Sequence, residues 1–450
     1  MNPLIFREYD IRGIADRDMV DEDVRMIGKG VGTYLVRKGH SRLTVGRDCR
    51  TTSDRFAAQI IEGLRSTGCD VVDLGVCPTP VFYFSIKHLQ KEGGVMVTAS
   101  HNPPEYNGFK LCKGLDSIHG EQIQEIRRLI EANDFAVGHG SFSTADVVTP
   151  YKAFLEGNIT IPNPIRVGVD AGNGTAGVVA VPIMKKLNCE VHDIYCDMDG
   201  TFPNHEADPT VLKNMQDLIR LVQEKRLDVG IGFDGDGDRI GVVDRKGNII
   251  FGDKLIILFA REILSRKPGA VFISEVKCSQ TMYDDIEKNG GRAIMWKTGH
   301  SLIKQKMKEE KAELAGEMSG HMFFADRYFG YDDAVYASLR LLEILSRTGK
   351  DISELLADVP KTYTTPEIRV ECPDPIKFDV VKKVTEHFRK RNKVIDIDGA
   401  RVLFGDGWGL VRASNTQPAL VLRFEALSEE RLGQIRENIE STLAKIQSGF

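Results

Sequence analysis

The run Leu227-Asp228-Val229-Gly230-Ile231-Gly232-Phe233 leads into Asp234-Gly235-Asp236-Gly237-Asp238-Arg239 and leaves as Ile240-Gly241-Val242-Val243. Apolar, β-branched residues on both sides of a Gly/Asp cluster predict strand, acidic turn, strand. Gly230, Gly232 and Gly235 match G-x-G-x-x-G, but that fingerprint must open a helix and here a strand follows. An EF-hand starting at Asp234 would need Gly and Glu where Arg239 and Arg245 stand. What remains is three carboxylates at alternate positions, separated by glycines and aimed at one small volume. Mg²⁺ favours such hard oxygens and keeps positions open for a substrate phosphate. The bland alternative is an acidic turn that holds no ion.

Outward from this turn the chain repeats itself. Strand-like runs at 165–170 and 190–194 precede the run at 227–232. The same order stands upstream at 43–46, 70–75 and 94–97, ending in Thr98-Ala99-Ser100-His101-Asn102-Pro103. It stands again downstream at 270–274, 292–296 and 313–315, ending in Gly316-Glu317-Met318-Ser319-Gly320-His321. Alternating apolar β-rich runs and helical patterns predict α/β layers around a mixed sheet. After Pro360 and Pro366, which bracket a linker, the style changes. Phe378, Val381, Val384 and Phe388 form one helical stripe. Leu432, Ile435, Ile439, Leu443 and Ile446 form another behind the N-cap Ser428. Short strands around 402–404 and 419–422 complete a smaller α+β unit. A chain of 450 residues allows two to four domains, and this organisation predicts four.

Composition excludes several function classes. Lys and Arg total 60 against 65 Asp and Glu, so the phosphate-neutralising excess of a general nucleic-acid binder is absent. No apolar run reaches the ~18 residues of a membrane span. The opening residues meet Arg7 and Glu8 without an apolar signal core. Eight scattered cysteines show no C-x-x-C pair, which predicts reduced thiols in a cytoplasmic protein. The 43 glycines suggest tight turns. Gly108, Gly235, Gly237, Gly316 and Gly320 are placed in loops where backbone approaches a ligand.

Four further segments carry chemistry. Thr98–Lys110 puts Ser100 in a tight loop, with His101 beside it and Lys110 able to reach an anion. Without G-x-S-x-G, acyl transfer is disfavoured. On spacing alone Ser100 reads first as a turn serine, and a phosphoryl-accepting role becomes attractive only beside the carboxylates. Gly316–His321 offers a carboxylate, a hydroxyl and an imidazole to a polar ligand, or is a capped loop. Arg412-Ala413-Ser414-Asn415-Thr416-Gln417-Pro418 suits a phosphate dianion, or is an Asx-type turn. Phe6-Arg7-Glu8-Tyr9-Asp10-Ile11-Arg12-Gly13, Lys277 and His300 supply anion ligands or solvated charges.

Together, in this order, the five motifs resemble the α-D-phosphohexomutase family, and within it the bacterial phosphomannomutase/phosphoglucomutase group. The resemblance implies three related α/β domains and a smaller C-terminal one around a central cleft. They are expected at 1–146 with the phosphoserine loop, 147–248 with the metal loop, 249–361 with the sugar loop and 362–450 with the phosphate loop. It implies an isomerase acting on small sugar phosphates, mannose and glucose 1- and 6-phosphates, through a hexose 1,6-bisphosphate. Ser100 would carry the phosphoryl group, and with Asp234, Asp236 and Asp238 would hold one Mg²⁺. Glu317 and Ser319 would bind sugar hydroxyls, while Arg412, Ser414, Asn415 and Thr416 would grip the phosphate not being transferred. Tyr9, Arg12, His101, Lys110, Arg239, Lys277, His300 and His321 would line the cleft as anion and proton-handling groups. Gln417 departs from the small polar residue expected there. A phosphoglucosamine mutase and a metal-dependent sugar phosphatase using Ser100 are the alternatives; Met318 favours the former less, since glucosamine-specific relatives tend to carry Gln there.

Overall fold

Three of the four sheets repeat one topology. In the first unit Arg42–Arg47, Asp70–Val76 and Gly93–Val97 run parallel, and Tyr106–Lys113 returns antiparallel on the third strand. In the second, Ile165–Asp170, Cys189–Ile194 and Val229–Phe233 are parallel and Ile240–Asp244 returns. In the third, Val271–Glu275, Arg292–Trp296 and Leu314–Gly316 are parallel and Met322–Phe324 returns. The spatial order is fourth, third, first, second in every case. The computed structural model describes residues 1–415 and 418–449.

This order fixes where ligands can sit. The chain leaves the first strand toward one side of the sheet and returns with the third on the other. A crevice therefore opens outside the carboxyl ends of the first and third strands. The third strand also pairs on both sides, and Gly93–Val97 and Val229–Phe233 are buried throughout, which explains their unbroken apolar reading. The turn joining third and fourth strands is, in each unit, the polar loop singled out above.

The three units share apolar surface. One buried cluster runs from Phe82 and Phe84 through Val167 and Val169 to Leu255 and Phe259. Helix Ala334–Thr348 of the third unit packs on Gly252–Leu264 of its own unit and also on Ile240–Asp244 of the second. Its residues are buried from Ala334 to Ser346, with Ser338, Arg340, Glu343 and Ser346 standing among the apolar ones. Its one buried arginine, Arg340, is matched by Asp326 at 2.9 Å and Glu262 at 2.8 Å.

The fourth unit has an antiparallel sheet including Ala400–Leu403, Gly407–Ala413 and Ala419–Ala426, covered by helices Asp374–Arg389 and Glu429–Gln447. Ser428 caps the second helix, accepting from the Arg431 N–H. The first helix corrects the expected stripe. Phe378 is 60% exposed, while Lys377, Val380, Val381, Val384 and Phe388 face inward. Phe378 lies one residue, about 100°, past the inward-facing Lys377. Two glycine placements are also corrected. Gly108 pairs with Arg12 inside a strand, and Gly316 ends the strand Leu314–Gly316. Tyr363–Thr364, inside the expected linker, forms a short strand against Ala419–Ala426.

Candidate active site

Ser100 sits in the turn after Gly93–Val97 with φ +51°, the left-handed region that costs a non-glycine residue roughly 1–2 kcal/mol. Thr98 Oγ1 accepts from its N–H at 2.9 Å and helps hold that conformation. Ser100 is 3% exposed, and its hydroxyl donates to Asp234 Oδ2 at 2.8 Å and lies 3.1 Å from His101 Nδ1. Asp234, in turn, accepts from the Asp238 and Arg239 backbone N–H groups, each at 3.0 Å. These bonds tie the acidic turn to itself. Gly235 is required because a Cβ there would stand 2.5 Å from the Ser100 carbonyl oxygen. The serine loop and acidic turn thus meet backbone against backbone.

Asp234, Asp236 and Asp238 are fully buried, and their ligand atoms lie within 4.8 Å of one another. Burial and the neighbouring carboxylates push Asp234 well above the ordinary carboxylate range. Burial acts the same way on Asp236, but Lys110 outweighs it and holds Asp236 low. Lys110 Nζ donates to Asp236 Oδ2 at 2.6 Å and also to Asp238 Oδ2. Burial would lower Lys110, yet the two carboxylates raise it, so it stays protonated. That arrangement makes Lys110 a counter-cation to the acidic turn and unfits it to accept a proton. Asp236 Oδ1 and Asp238 Oδ1 remain buried with no hydrogen-bond partner. Hard, unpartnered, mutually repelling oxygens balanced by one ammonium are a donor set that fits a divalent cation.

A second cluster adjoins the first. Arg239 bridges in antiparallel register to His321 and donates from Nε to His321 Nε2 at 3.0 Å. His300 stacks on His321 with ring centroids 5.7 Å apart. Asp332 lies between them, its Oδ2 at 3.2 Å from His321 Nδ1 and 3.9 Å from His300 Nδ1. Burial, then the cation of Lys304, holds His300 well below the ordinary imidazole value. His101 is likewise lowered by burial and by Arg239 and Arg12. Both imidazoles are therefore neutral near pH 7. Arg12 donates to the Ala99 carbonyl at 3.2 Å and to Asn102 at 2.6 Å, with Asp10 as its ion-pair partner at 2.5 Å.

The loops expected to bind sugar and phosphate form a third group. Glu317 is buried and accepts from the Gly299 N–H at 2.8 Å, whereas Ser319 is half-buried at the tip of its loop. Gly299 adopts φ +128°, and a side chain there would strike the Tyr9 ring at 2.7 Å. Tyr9 donates to the Thr298 carbonyl at 3.0 Å and accepts from Asn415 Nδ2 at 2.7 Å. Burial raises its hydroxyl to about 12. Arg412 donates to Asp398 at 3.1 Å, and the same carboxylate accepts from the Thr298 N–H. The Ser414 carbonyl accepts from Lys377 at 2.6 Å. Lys277 is engaged by Glu367 at 3.2 Å. Thr416 and Gln417 lie outside the described residues.

Several participants were not read from the sequence. Thr79 donates to Asp236 at 2.5 Å, Asp332 links the two histidines, and Asp398 joins Arg412 to Thr298. Arg50 donates to the Ser100 carbonyl at 2.8 Å. It follows the first strand of its unit, as Lys277 does in the third. Extending the repeat to the loops after the first strands would have found it.

The chain matches all four family profiles of the phosphoglucomutase/phosphomannomutase set: α/β/α domain I over residues 3–137, domain II over 151–247, domain III over 251–363 and the C-terminal domain over 367–442. It is similar to a phosphomannomutase/phosphoglucomutase of Pseudomonas aeruginosa, 45% identical over 447 residues, 99% of this chain and 96% of that one. A phosphoglucomutase of Neisseria meningitidis serogroup A is 41% identical over 444 residues, 98% of this chain and 96% of its own. Among solved structures, a phosphoglucomutase/phosphomannomutase family protein from Burkholderia thailandensis superimposes with a TM-score of 0.95 at 41% identity, covering 100% of this chain and 99% of that one. Full-length similarity, four domain matches and one shared architecture place the chain in the phosphoglucomutase/phosphomannomutase family of isomerases.

Proposed function

We propose that this enzyme interconverts hexose 1-phosphates and 6-phosphates of mannose and glucose, using Ser100 as the phosphoryl carrier and a hexose 1,6-bisphosphate as intermediate. One observation carries the reading: the Ser100 hydroxyl lies 2.8 Å from Asp234 within a buried acidic trio, in a loop whose backbone is fixed. Asp234, Asp236 and Asp238, with a phosphate on Ser100, would hold one Mg²⁺, which neutralises charge on the transferring phosphoryl group. The sugar hydroxyl attacks phosphorus as the bond to Ser100 Oγ breaks. His300, kept neutral by burial and by Lys304, takes the hydroxyl proton, and the released Ser100 Oγ takes up a proton in turn, with His101 Nδ1 within reach at 3.1 Å. Arg239 and Arg12 face the developing charge. Glu317 and Ser319 orient the sugar, with His321 and Lys277 beside them. Arg412, Ser414 and Asn415 grip the distal phosphate, and Tyr9 orders Asn415. The bisphosphate turns over within the cleft and returns its other phosphoryl group to Ser100. Burial of Ser100 excludes water that would make the enzyme a phosphatase. Eight free thiols among the described residues suit a reducing cytoplasm, and no helix is long and apolar enough to cross a membrane.

The test is a coupled assay of purified protein with mannose, glucose and glucosamine 1-phosphates, each primed with the matching bisphosphate. Turnover of the first two with little inorganic phosphate is expected. Preference for glucosamine 1-phosphate would move the assignment to that mutase, and stoichiometric phosphate release would make the protein a phosphatase.

A further inference from the structure

We propose that Arg50 is a positioning residue that locks the Ser100 loop in the conformation able to transfer a phosphoryl group. Its side chain is 0% exposed, and all five of its N–H donors are used. Nε donates to Asp48 at 3.1 Å. Nη1 donates to the carbonyls of Pro103 at 2.7 Å and Tyr106 at 3.0 Å. Nη2 donates to the carbonyls of Ser100 at 2.8 Å and Asn102 at 2.6 Å. One planar cation therefore gathers four carbonyls from the loop, including that of the residue with φ +51°.

The clamp is itself braced. Asp48, 2% exposed, accepts from the Arg50 N–H at 3.0 Å and from the Ser53 hydroxyl at 2.5 Å, so the carboxylate cannot swing. The second unit closes over the guanidinium. Phe202 places its ring 5.0 Å from the guanidinium carbon, and Gly200 bridges to the Arg50 backbone. Arg50 thus joins the serine loop to the unit that supplies the carboxylates. Holding the loop carbonyls fixes the backbone from which Oγ reaches Asp234. A 1 Å error there can cost about 100-fold in rate. Lysine cannot replace it, because a single ammonium offers three donors and no plane to span four carbonyls.

This assignment rests on the phosphoserine reading and is tested apart from it. Arg50→Lys and Asp48→Asn are purified with the parent enzyme, and folding is followed by thermal unfolding. Two rates are then measured. One is steady-state turnover of glucose 1-phosphate. The other is single-turnover phosphorylation of Ser100 by glucose 1,6-bisphosphate, read as the gain of one phosphate in intact mass. In that step Ser100 Oγ bonds to phosphorus while the sugar O–P bond breaks and the sugar hydroxyl regains a proton. Arg50→Lys is expected to slow both rates about 100-fold with KM changed less than about threefold, and Asp48→Asn to slow both about tenfold. Folded Arg50→Lys with parental phosphorylation overturns the proposal. If Arg50→Lys does not fold, Asp48→Asn with a parental phosphorylation rate overturns it. A parent enzyme that neither turns over substrate nor takes up phosphate defeats the underlying mutase reading instead.

Discussion

The serine and acidic loops are joined differently from the phosphate loop of the fourth unit. Between the first two, backbone meets backbone: Gly235 leaves no room for a Cβ against the Ser100 carbonyl, and the Thr79 N–H donates to the Asp236 carbonyl at 2.8 Å. Between the fourth unit and the others, beside the phosphate loop, side-chain tips do the joining: Asn415 to Tyr9, Asp398 to the Thr298 N–H, and Glu367 to Lys277. The first contact is rigid, as the proposed phosphoryl transfer needs, since a small displacement there would be expensive. The second, at the loop itself, is made of single polar bonds, which a substrate phosphate would exchange in the proposed mechanism. In the proposed mechanism a bisphosphate that must turn over needs a fixed reaction centre and a releasable grip, and the two regions would divide those tasks.

That division can be broken in graded steps. Ser100→Ala should abolish turnover, by about 10⁴-fold or more in kcat, measured in the coupled assay. Residual activity near the parent would remove Ser100 from the mechanism. Asp236→Asn should lower kcat by more than the ~10–100-fold typical of a change around a metal ligand, and should weaken Mg²⁺ binding by calorimetry. EDTA should silence the parent enzyme and excess Mg²⁺ restore it.

A third test probes the seam between the second and third units. Asp333 accepts from Tyr151 at 2.9 Å, from Tyr328 at 2.5 Å and from the Tyr336 N–H, yet burial raises it to about 6 from 3.8. A raised carboxyl means that the folded state binds more protons than the unfolded state between those values. Asp333's contribution to stability should therefore be largest below about pH 3.8 and be lost as pH rises through about 6, by up to about 3 kcal/mol. In Asp333→Asn that component should vanish from the urea-unfolding free energy followed against pH. An unchanged pH slope would refute it.

The grip should respond more mildly. Arg412→Ala should raise KM about 10–100-fold, with kcat affected less, because a charge-assisted contact of about 1.5–3 kcal/mol is lost. An unchanged KM would count against the phosphate grip. Tyr9→Phe, which removes the hydroxyl that meets Asn415, should cost only about fivefold in kcat/KM. A loss as large as that of Asp236→Asn would erase the distinction between the two regions.

The acidic turn was legible because its chemistry is local. Carboxylates at alternate positions with intervening glycines converge whatever surrounds them, and Ser100 follows a buried apolar run in the same way. The helix behind Ser428 was legible from its cap and stripe. Phe378 was misread because a stripe judged by apolar identity overlooks a lysine, and Lys377 faces inward to reach the Ser414 carbonyl. Arg50, Asp332 and Asp398 were not singled out, since a lone charged residue in a loop looks solvated until its partners are known. Those partners are distant in sequence: Asp398 meets Thr298 across 100 residues, and Arg50 meets Asn102 across 52.

The sequence by itself determined the repeated units and the reactive groups at their strand ends, because periodicity and turn chemistry act over a few residues. Only the tertiary structure decided how those groups are charged and held. It set Lys110 against two carboxylates, kept His300 neutral and placed Arg50 beneath the serine. Burial and long-range pairing control those states, and neither is a property of any short stretch of chain.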